Sequence, residues 1–350
     1  MRIYTWFLTG LILIASQGFA QEDDNSEEKG GIRWMDIETA IEKQKQTPKT
    51  IFVDLYTDWC GWCKKLDKET FSHPTIVNYI NNHFYPVKFD AEGNDTIDFY
   101  GKTYVNKGEG RRPTHELALL FTNNKPSYPS MIFIDENGKP NQVPGFMNVK
   151  KLEPILIFFA ERVYKTCDFD FFHKAFKAVY RSGDSINVDT SGSIKWEGFD
   201  EALMNQTKDG KKLLLFFYSD TYQPVSSELM RKINLKNPHI AEYINKNYHA
   251  VFFDAARTDT INMFNKTFIN EQKAPGYPHQ FVFAVLQKKV VFPSVLFLTK
   301  EGQLVAPMQG YYNPATLEPY LHYIATNAYQ ENNNYQEFYK NFDGKIKKQE

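Results

Sequence analysis

The sequence predicts an α/β chain in which one domain, a mixed central sheet flanked by helices, occurs twice in tandem. Three observations carry this. Short β-branched and aromatic runs alternate with helical patterns, glycine-bearing turns mark antiparallel pairs, and local signatures return 162 to 165 residues downstream. The length agrees, since 350 residues at roughly 150 per domain makes about two. A hydrophobic fraction of 42% with 16% aromatics excludes wholesale disorder.

From the N-terminus, Arg2 precedes an apolar run, Trp6 to Ala15, and the first twenty residues end in Gly18-Phe19-Ala20. Residues 1–20 read as a signal peptide, because the run is short of the roughly 20 residues a bilayer span needs and small residues stand at the cleavage positions. No later stretch is expected to span a membrane. Residues 21–30, with five acids between Glu22 and Glu28, read as an acidic disordered spacer.

Residues 31–165 form the first copy. Ile51 to Tyr56, Phe84 to Phe89 and Met131 to Ile134 are expected strands, and Glu136-Asn137-Gly138-Lys139 a hairpin turn. A helix is expected to open at Cys60 and run to about Ile80. Residues 166–190 read as an interdomain helical linker with Phe172 and Phe176 at helical spacing, covering its own domain.

The second copy, residues 191–328, repeats the first. Ile32-Arg33-Trp34 returns as Ile194-Lys195-Trp196, and the run ending in Tyr56 as the run ending in Tyr218. Phe89-Asp90-Ala91 returns as Phe253-Asp254-Ala255, Tyr128-Pro129-Ser130 as Phe292-Pro293-Ser294, and Gly145-Phe146 as Gly310-Tyr311. The drift in offset implies only three inserted residues across the unit. Residues 329–350 are a helical tail whose Phe338 and Phe342 echo the linker.

With 41 basic against 42 acidic residues, no strong field points to nucleic acid or an anionic membrane. Three cysteines are too few for a disulfide framework, and two stand in Cys60-Gly61-Trp62-Cys63 after a strand. If Cys60 caps the following helix, its sulfur faces unpaired backbone N–H groups while Cys63 lies a turn further in. Moving a thiol pKa from about 8.5 toward about 7 needs about 2 kcal/mol, within reach of a helix N-terminus beside Lys64 and Lys65. The alternatives are a structural disulfide or half a zinc site, but no second Cys-x-x-Cys completes four ligands, and no metal is expected. Asp54 sits among Ile51, Phe52, Val53 and Leu55, where burying a carboxylate needs a reason.

These residues resemble the thioredoxin superfamily. Val53 to Lys64 looks like the strand leading into a Trp-Cys-x-x-Cys-Lys site, with Asp54 in the place of the buried acid, and Tyr128-Pro129 like the pair holding the family's cis-proline. Cys63 to Pro74 is similar to the C-terminal periplasmic domain of the interchange reductase DsbD. The resemblance implies two tandem thioredoxin-like domains, the first a thiol-disulfide oxidoreductase with Cys60 as nucleophile, Cys63 as resolving thiol and Asp54 as proton relay. Substrate contact is expected at Gly61, Tyr128 and Pro129, and at Trp59 and Trp62, which flank the sulfur without counterparts in the second copy and so favour partner docking over the alternative of packing. The chain departs from plain thioredoxin at Trp62, where Pro is usual, and in an insertion, Gly108 to Ser127. No cofactor is implied beyond the redox-active Cys60–Cys63 disulfide.

The expected partners are protein or small thiol and disulfide substrates and an upstream electron donor outside this chain, a membrane protein being one option. The expected place is the periplasm, after secretion across the inner membrane. Rival readings are a non-catalytic peptide-binding or chaperone-like protein and a disulfide isomerase.

The second copy serves as an internal control. By repeat offset it has Tyr222 and Val225 for the cysteines and Phe216 for Asp54, so its chemistry is expected to be lost. Its kept proline suggests a client groove beside Pro293, with Tyr222 filling the space of a sulfur. His115 recurs as His279, so both are expected to be structural, and Trp34, recurring as Trp196, is expected in both cores. Cys167 is expected to be a buried thiol.

Overall fold

The computed structural model describes residues 30–181, 189–263, 265–287, 290–305, 307–331 and 334–346. The signal peptide expected over 1–20, nearly all of the acidic spacer and the last four residues of the tail lie outside the described residues.

The first copy runs α1 (Ile37–Gln46), β1 (Thr50–Tyr56), α2 (Gly61–Glu69), α3 (Pro74–His83), β2 (Phe84–Asp90), a small hairpin β3 (Ile97–Phe99) and β4 (Lys102–Tyr104), α4 (Glu116–Phe121), β5 (Ser130–Ile134), β6 (Pro140–Pro144) and α5 (Val149–Ala160). The sheet order is β2-β1-β5-β6. β1 lies parallel to β2, from Thr50 opposite Phe84 to Tyr56 opposite Asp90, and antiparallel to β5. The hairpin expected at Gly138 joins β5 to β6; its φ is +76°, and a β-carbon there would stand 2.9 Å from the Tyr100 ring.

Side chains of β1 alternate between two cores. Ile51, Val53 and Leu55 pack with Ile41 of α1 and Leu117 of α4, whereas Phe52 packs with Leu66 of α2, Ile80 of α3 and Leu152 of α5. Asp54, two residues from Phe52, therefore faces the layer that carries α2.

The helix expected from Cys60 to Ile80 is two helices. Pro74 has no N–H to continue α2 and its ring would clash with the preceding turn, so the chain breaks after Glu69 and restarts with Pro74 in the first turn of α3.

After α5 comes α6 (Phe169–Tyr180), followed by the second copy: β7 (Trp196–Glu197), α7 (Phe199–Asp209), β8 (Lys212–Tyr218), α8 (Pro224–Leu229), α9 (Pro238–Asn247), β9 (Tyr248–Asp254), β10 (Ile261–Met263), β11 (Lys266–Phe268), α10 (Gln280–Leu286), β12 (Ser294–Leu298), β13 (Met308–Gln309) and α11 (Pro314–Ala325). Its sheet order is β13-β12-β8-β9-β7, the same core topology with β7 added at the edge. Residues Met230–Asn234 after α8 are π-helical, which takes up one inserted residue, so part of the drift in repeat offset is located there.

Two packing expectations are corrected. Trp196 is 37% exposed, because β7 is an edge strand and the ring lies over Phe252 at 5.3 Å; Trp34 is partly buried, stacked on Phe52 at 6.2 Å. Helix α6 does not cover the first copy alone. Phe172 lies 5.4 Å from Phe158 of α5 and 6.3 Å from Tyr311 of the second copy, so α6 belongs to both, in one core that contains Leu152 and Leu317. Cys167, just before α6, is buried, and burial pushes its thiol well above the ordinary range.

In the tail, α12 (Ala328–Glu331) and α13 (Tyr335–Asn341) cover the second copy, with Phe338 5.1 Å from Tyr323 and Phe342 4.8 Å from His322. Among the described residues, no helix is long and apolar enough to cross a membrane.

Candidate active site

Strand β1 ends at Tyr56 and the chain turns through Thr57–Trp59 into α2. Cys60 is the N-cap of α2, with φ −75° and ψ 100°, and its Sγ accepts a hydrogen bond from the Cys63 N–H at 3.1 Å. The two cysteines form a disulfide. Residue exposure does not separate the sulfurs, at 5% for Cys60 and 4% for Cys63. What separates them is the cap: charge on Cys60 is met by an amide donor and the positive end of α2, a stabilisation that falls away one turn in.

Around the buried pair stand exposed aromatics. Trp59 and Trp62 are 48% and 57% exposed. Trp59 donates its indole N–H to Glu92 at 2.9 Å, meets Tyr128 edge-on at 6.0 Å and carries the Arg112 guanidinium 4.0 Å above its ring. Trp62 lies 5.5 Å from Phe146, and Lys65 covers both rings. Tyr128–Pro129 is cis, and the Pro129 carbonyl accepts from the Gly145 N–H at 2.8 Å, which fixes the loop bearing Phe146. Gly61 is exposed, and a β-carbon there would meet nothing within 4 Å.

Asp54 is 2% exposed. Its Oδ2 lies 3.4 Å from Lys88 Nζ, and its Oδ1 is buried with no hydrogen-bond partner among the described residues. Lys88 is held more closely by Asp67, at 2.7 and 2.8 Å from its two oxygens, and lies over the Trp34 and Tyr56 rings. Asp67 is four residues after Cys63, on the same face of α2, so the chain Asp67–Lys88–Asp54 runs from the cysteine helix to the strand beneath. Desolvation pushes the Asp54 carboxyl up to about 6, against the pull of the Lys88 charge. A carboxyl poised there can take a proton near neutral pH.

The structure thus brings exposed Trp59 against half-buried Tyr128, which precedes the buried Pro129, and exposed Trp62 against half-buried Phe146, beside Cys60 and Cys63, with Asp54 in the layer below. Sequence reasoning missed Lys88, Asp67, Arg112, Glu92 and Phe146. Phe146 carried a signal, being quoted in the repeat. Asp67 lies on α2 with Cys63, but its partner Lys88 is on another element, and only pairing of β1 with β2 brings Lys88 opposite Asp54.

In the second copy Phe216 and Phe252 occupy the positions of Asp54 and Lys88, their rings 5.5 Å apart. Helix α8 opens one residue later than the repeat offset implies, with Gln223 as its N-cap at φ +54°. Tyr222 is stacked on Phe292 at 6.4 Å, before the cis peptide to Pro293. His115 and His279 cap α4 and α10 by accepting from the N–H of Leu117 and Phe281 at 3.1 Å, and each bonds a backbone carbonyl through Nε2, so both are structural.

The profile of a thioredoxin-like domain family matches residues 37–160 and again 199–325. A thiol:disulfide interchange protein DsbD of Pectobacterium atrosepticum is 27% identical over 121 residues, 34% of this chain and 17% of that protein. A protein of the same name in Citrobacter koseri is 31% identical over 103 residues, 29% of this chain and 15% of its own. The chain spans less than a fifth of the length of these relatives. Among solved structures, a putative disulphide isomerase of Bacteroides thetaiotaomicron matches 44% of this chain and 97% of its own at 24% identity and a TM-score of 0.25. The C-terminal domain of Neisseria meningitidis DsbD, reduced form, matches 35% and 92% at 17% identity and a TM-score of 0.24.

Proposed function

Because the chain belongs to the thioredoxin-like domain family over both of its copies, we propose that the first copy reduces protein disulfides by dithiol exchange through Cys60 and Cys63. The observation that carries this is the Cys60 sulfur at the N-cap of α2, accepting the Cys63 N–H. The Cys60 thiolate attacks one sulfur of the partner's disulfide; that bond breaks, the partner's other sulfur leaves as a thiolate, and a mixed disulfide forms. Cys63 gives its proton to Asp54 and attacks Cys60 Sγ, which closes the intramolecular disulfide and releases the partner's second thiolate. Two electrons pass to the partner, and an external dithiol donor returns them. The pair itself is the redox carrier.

The pattern of residues 1–20 supports export of the chain, and the reductive direction rests on the likeness of Cys63 to Pro74 to a reductase domain. In the test, the full chain is assayed for thiol release from a protein disulfide, with a dithiol reductant, against reductant alone. Acceleration that disappears in Cys60→Ala supports the proposal, and no acceleration removes it.

The exposed rings make a further prediction. Trp62→Ala removes an aromatic contact without entering the core, so it is expected to raise KM for a protein disulfide about tenfold, about 1.4 kcal/mol, and leave the rate on a small disulfide unchanged. Equal effects on both substrates would assign Trp62 to packing.

A further inference from the structure

The face of the second copy that corresponds to the redox face of the first is covered by this chain. Three points of that face are taken. At the turn opening α8, the Glu161 carboxylate, from the end of the first copy, accepts from the N–H of Val225 at 3.1 Å and of Ser226 at 2.6 Å. Ser226 stands three residues after the N-cap, as Cys63 stands after Cys60, so the oxygen does what the Cys60 sulfur does in the first copy. At the proline, the Phe292 N–H, which would be free for an extended segment, donates to Gln223 Oε1 at 2.6 Å, and Gln223 Nε2 donates to the Glu161 carbonyl at 3.4 Å. At the third loop, Gly310–Tyr311 receives Thr166: the hydroxyl donates to the Tyr311 carbonyl at 2.6 Å, and a methyl lies 3.2 Å from where a Gly310 β-carbon would be.

The contrast with the first copy is direct. Phe146 lies partly exposed beside Trp62, whereas its counterpart Tyr311 is 1% exposed, enclosed by Phe171 and Phe172. Glu161 itself is buried.

We propose that the groove of the second copy is an intramolecular receptor: it binds the segment Glu161–Phe172 of its own chain, locks the two copies into one cooperative unit, and is closed to clients. The groove expected to present substrates is occupied from within, which accounts for a copy that lost Asp54 and both cysteines yet kept its Pro293 loop. The lock is independent of exchange at Cys60, whose face points to solvent on the other domain.

The test uses the full oxidised chain and the variants Glu161→Gln, Glu161→Ala and Gln223→Ala, with amide exchange at Val225 and Ser226 as the readout. Wild type is expected to protect both amides, Glu161→Gln to keep part of that protection, and Glu161→Ala to speed exchange about tenfold or more. Glu161→Ala is also expected to split a single thermal transition into two, while reduction of a small disulfide at Cys60 stays unchanged. Gln223→Ala is expected to loosen the Phe292 amide alone. Unchanged protection at Val225 and Ser226 in a folded Glu161→Ala protein, or saturable binding to wild type of an extended polyalanine-based probe peptide that shifts Phe292 and Tyr222 signals, would overturn the proposal.

Discussion

Replacing Cys63 with Ala is expected to stop turnover and leave partner proteins bound to Cys60 as mixed disulfides, whereas replacing Cys60 is expected to stop turnover and trap none. The reason is the asymmetry of α2. Only the Cys60 sulfur caps the helix and receives an amide hydrogen bond, so only there does the helix N-terminus stabilise the thiolate. With both residues nearly buried, access does not choose between them; charge stabilisation does. The check is non-reducing electrophoresis with mass spectrometry of captured partners. Equal trapping by both variants would remove the assignment of Cys60 as nucleophile.

The second large effect is at Asp54. In Asp54→Asn the amide cannot accept the Cys63 proton, so resolution of the mixed disulfide is expected to slow about 10²-fold at neutral pH, measured by stopped-flow release of the second partner thiol. Stability is expected to move the other way. The folded carboxyl is raised from 3.8 to about 6, so relative to the unfolded chain its contribution is full below about pH 4 and is lost as pH rises through about 6. A shift of about 2 units corresponds to about 3 kcal/mol, which the neutral variant recovers at about pH 8 and does not gain at about pH 4. Denaturant unfolding of both proteins at the two pH values checks the sign. A variant less stable at the higher pH would mean that the Lys88 pair outweighs desolvation.

Much of this was legible in the sequence, for identifiable reasons. The duplication was readable because the inserted residues sit in loops and in the π-helical turn at Met230–Asn234, so strand signatures kept their spacing. Asp54 was readable because a carboxylate in the run Ile51–Leu55 has to be buried. The break before Pro74 is absent from the expected single helix because apolar residues at Ile76 and Ile80 fit a continued helix as well as a second one. Trp196 was misjudged because a repeated residue need not repeat its burial: its strand is at an edge. The Asp67–Lys88 pair and the Glu161 cap were out of reach, since their partners lie 21 and 64 residues apart and meet only once strands pair and domains pack.

The central claim is that Cys60–Cys63 is a working dithiol-disulfide couple, and equilibration of the full chain in glutathione buffers, read by thiol alkylation and mass spectrometry, tests it most directly. The account predicts a reversible two-electron titration of this pair, with a midpoint between about −270 and about −120 mV and Cys167 unreactive throughout. A pair that stays fully oxidised in buffers poised below about −300 mV would be a structural disulfide and would contradict it.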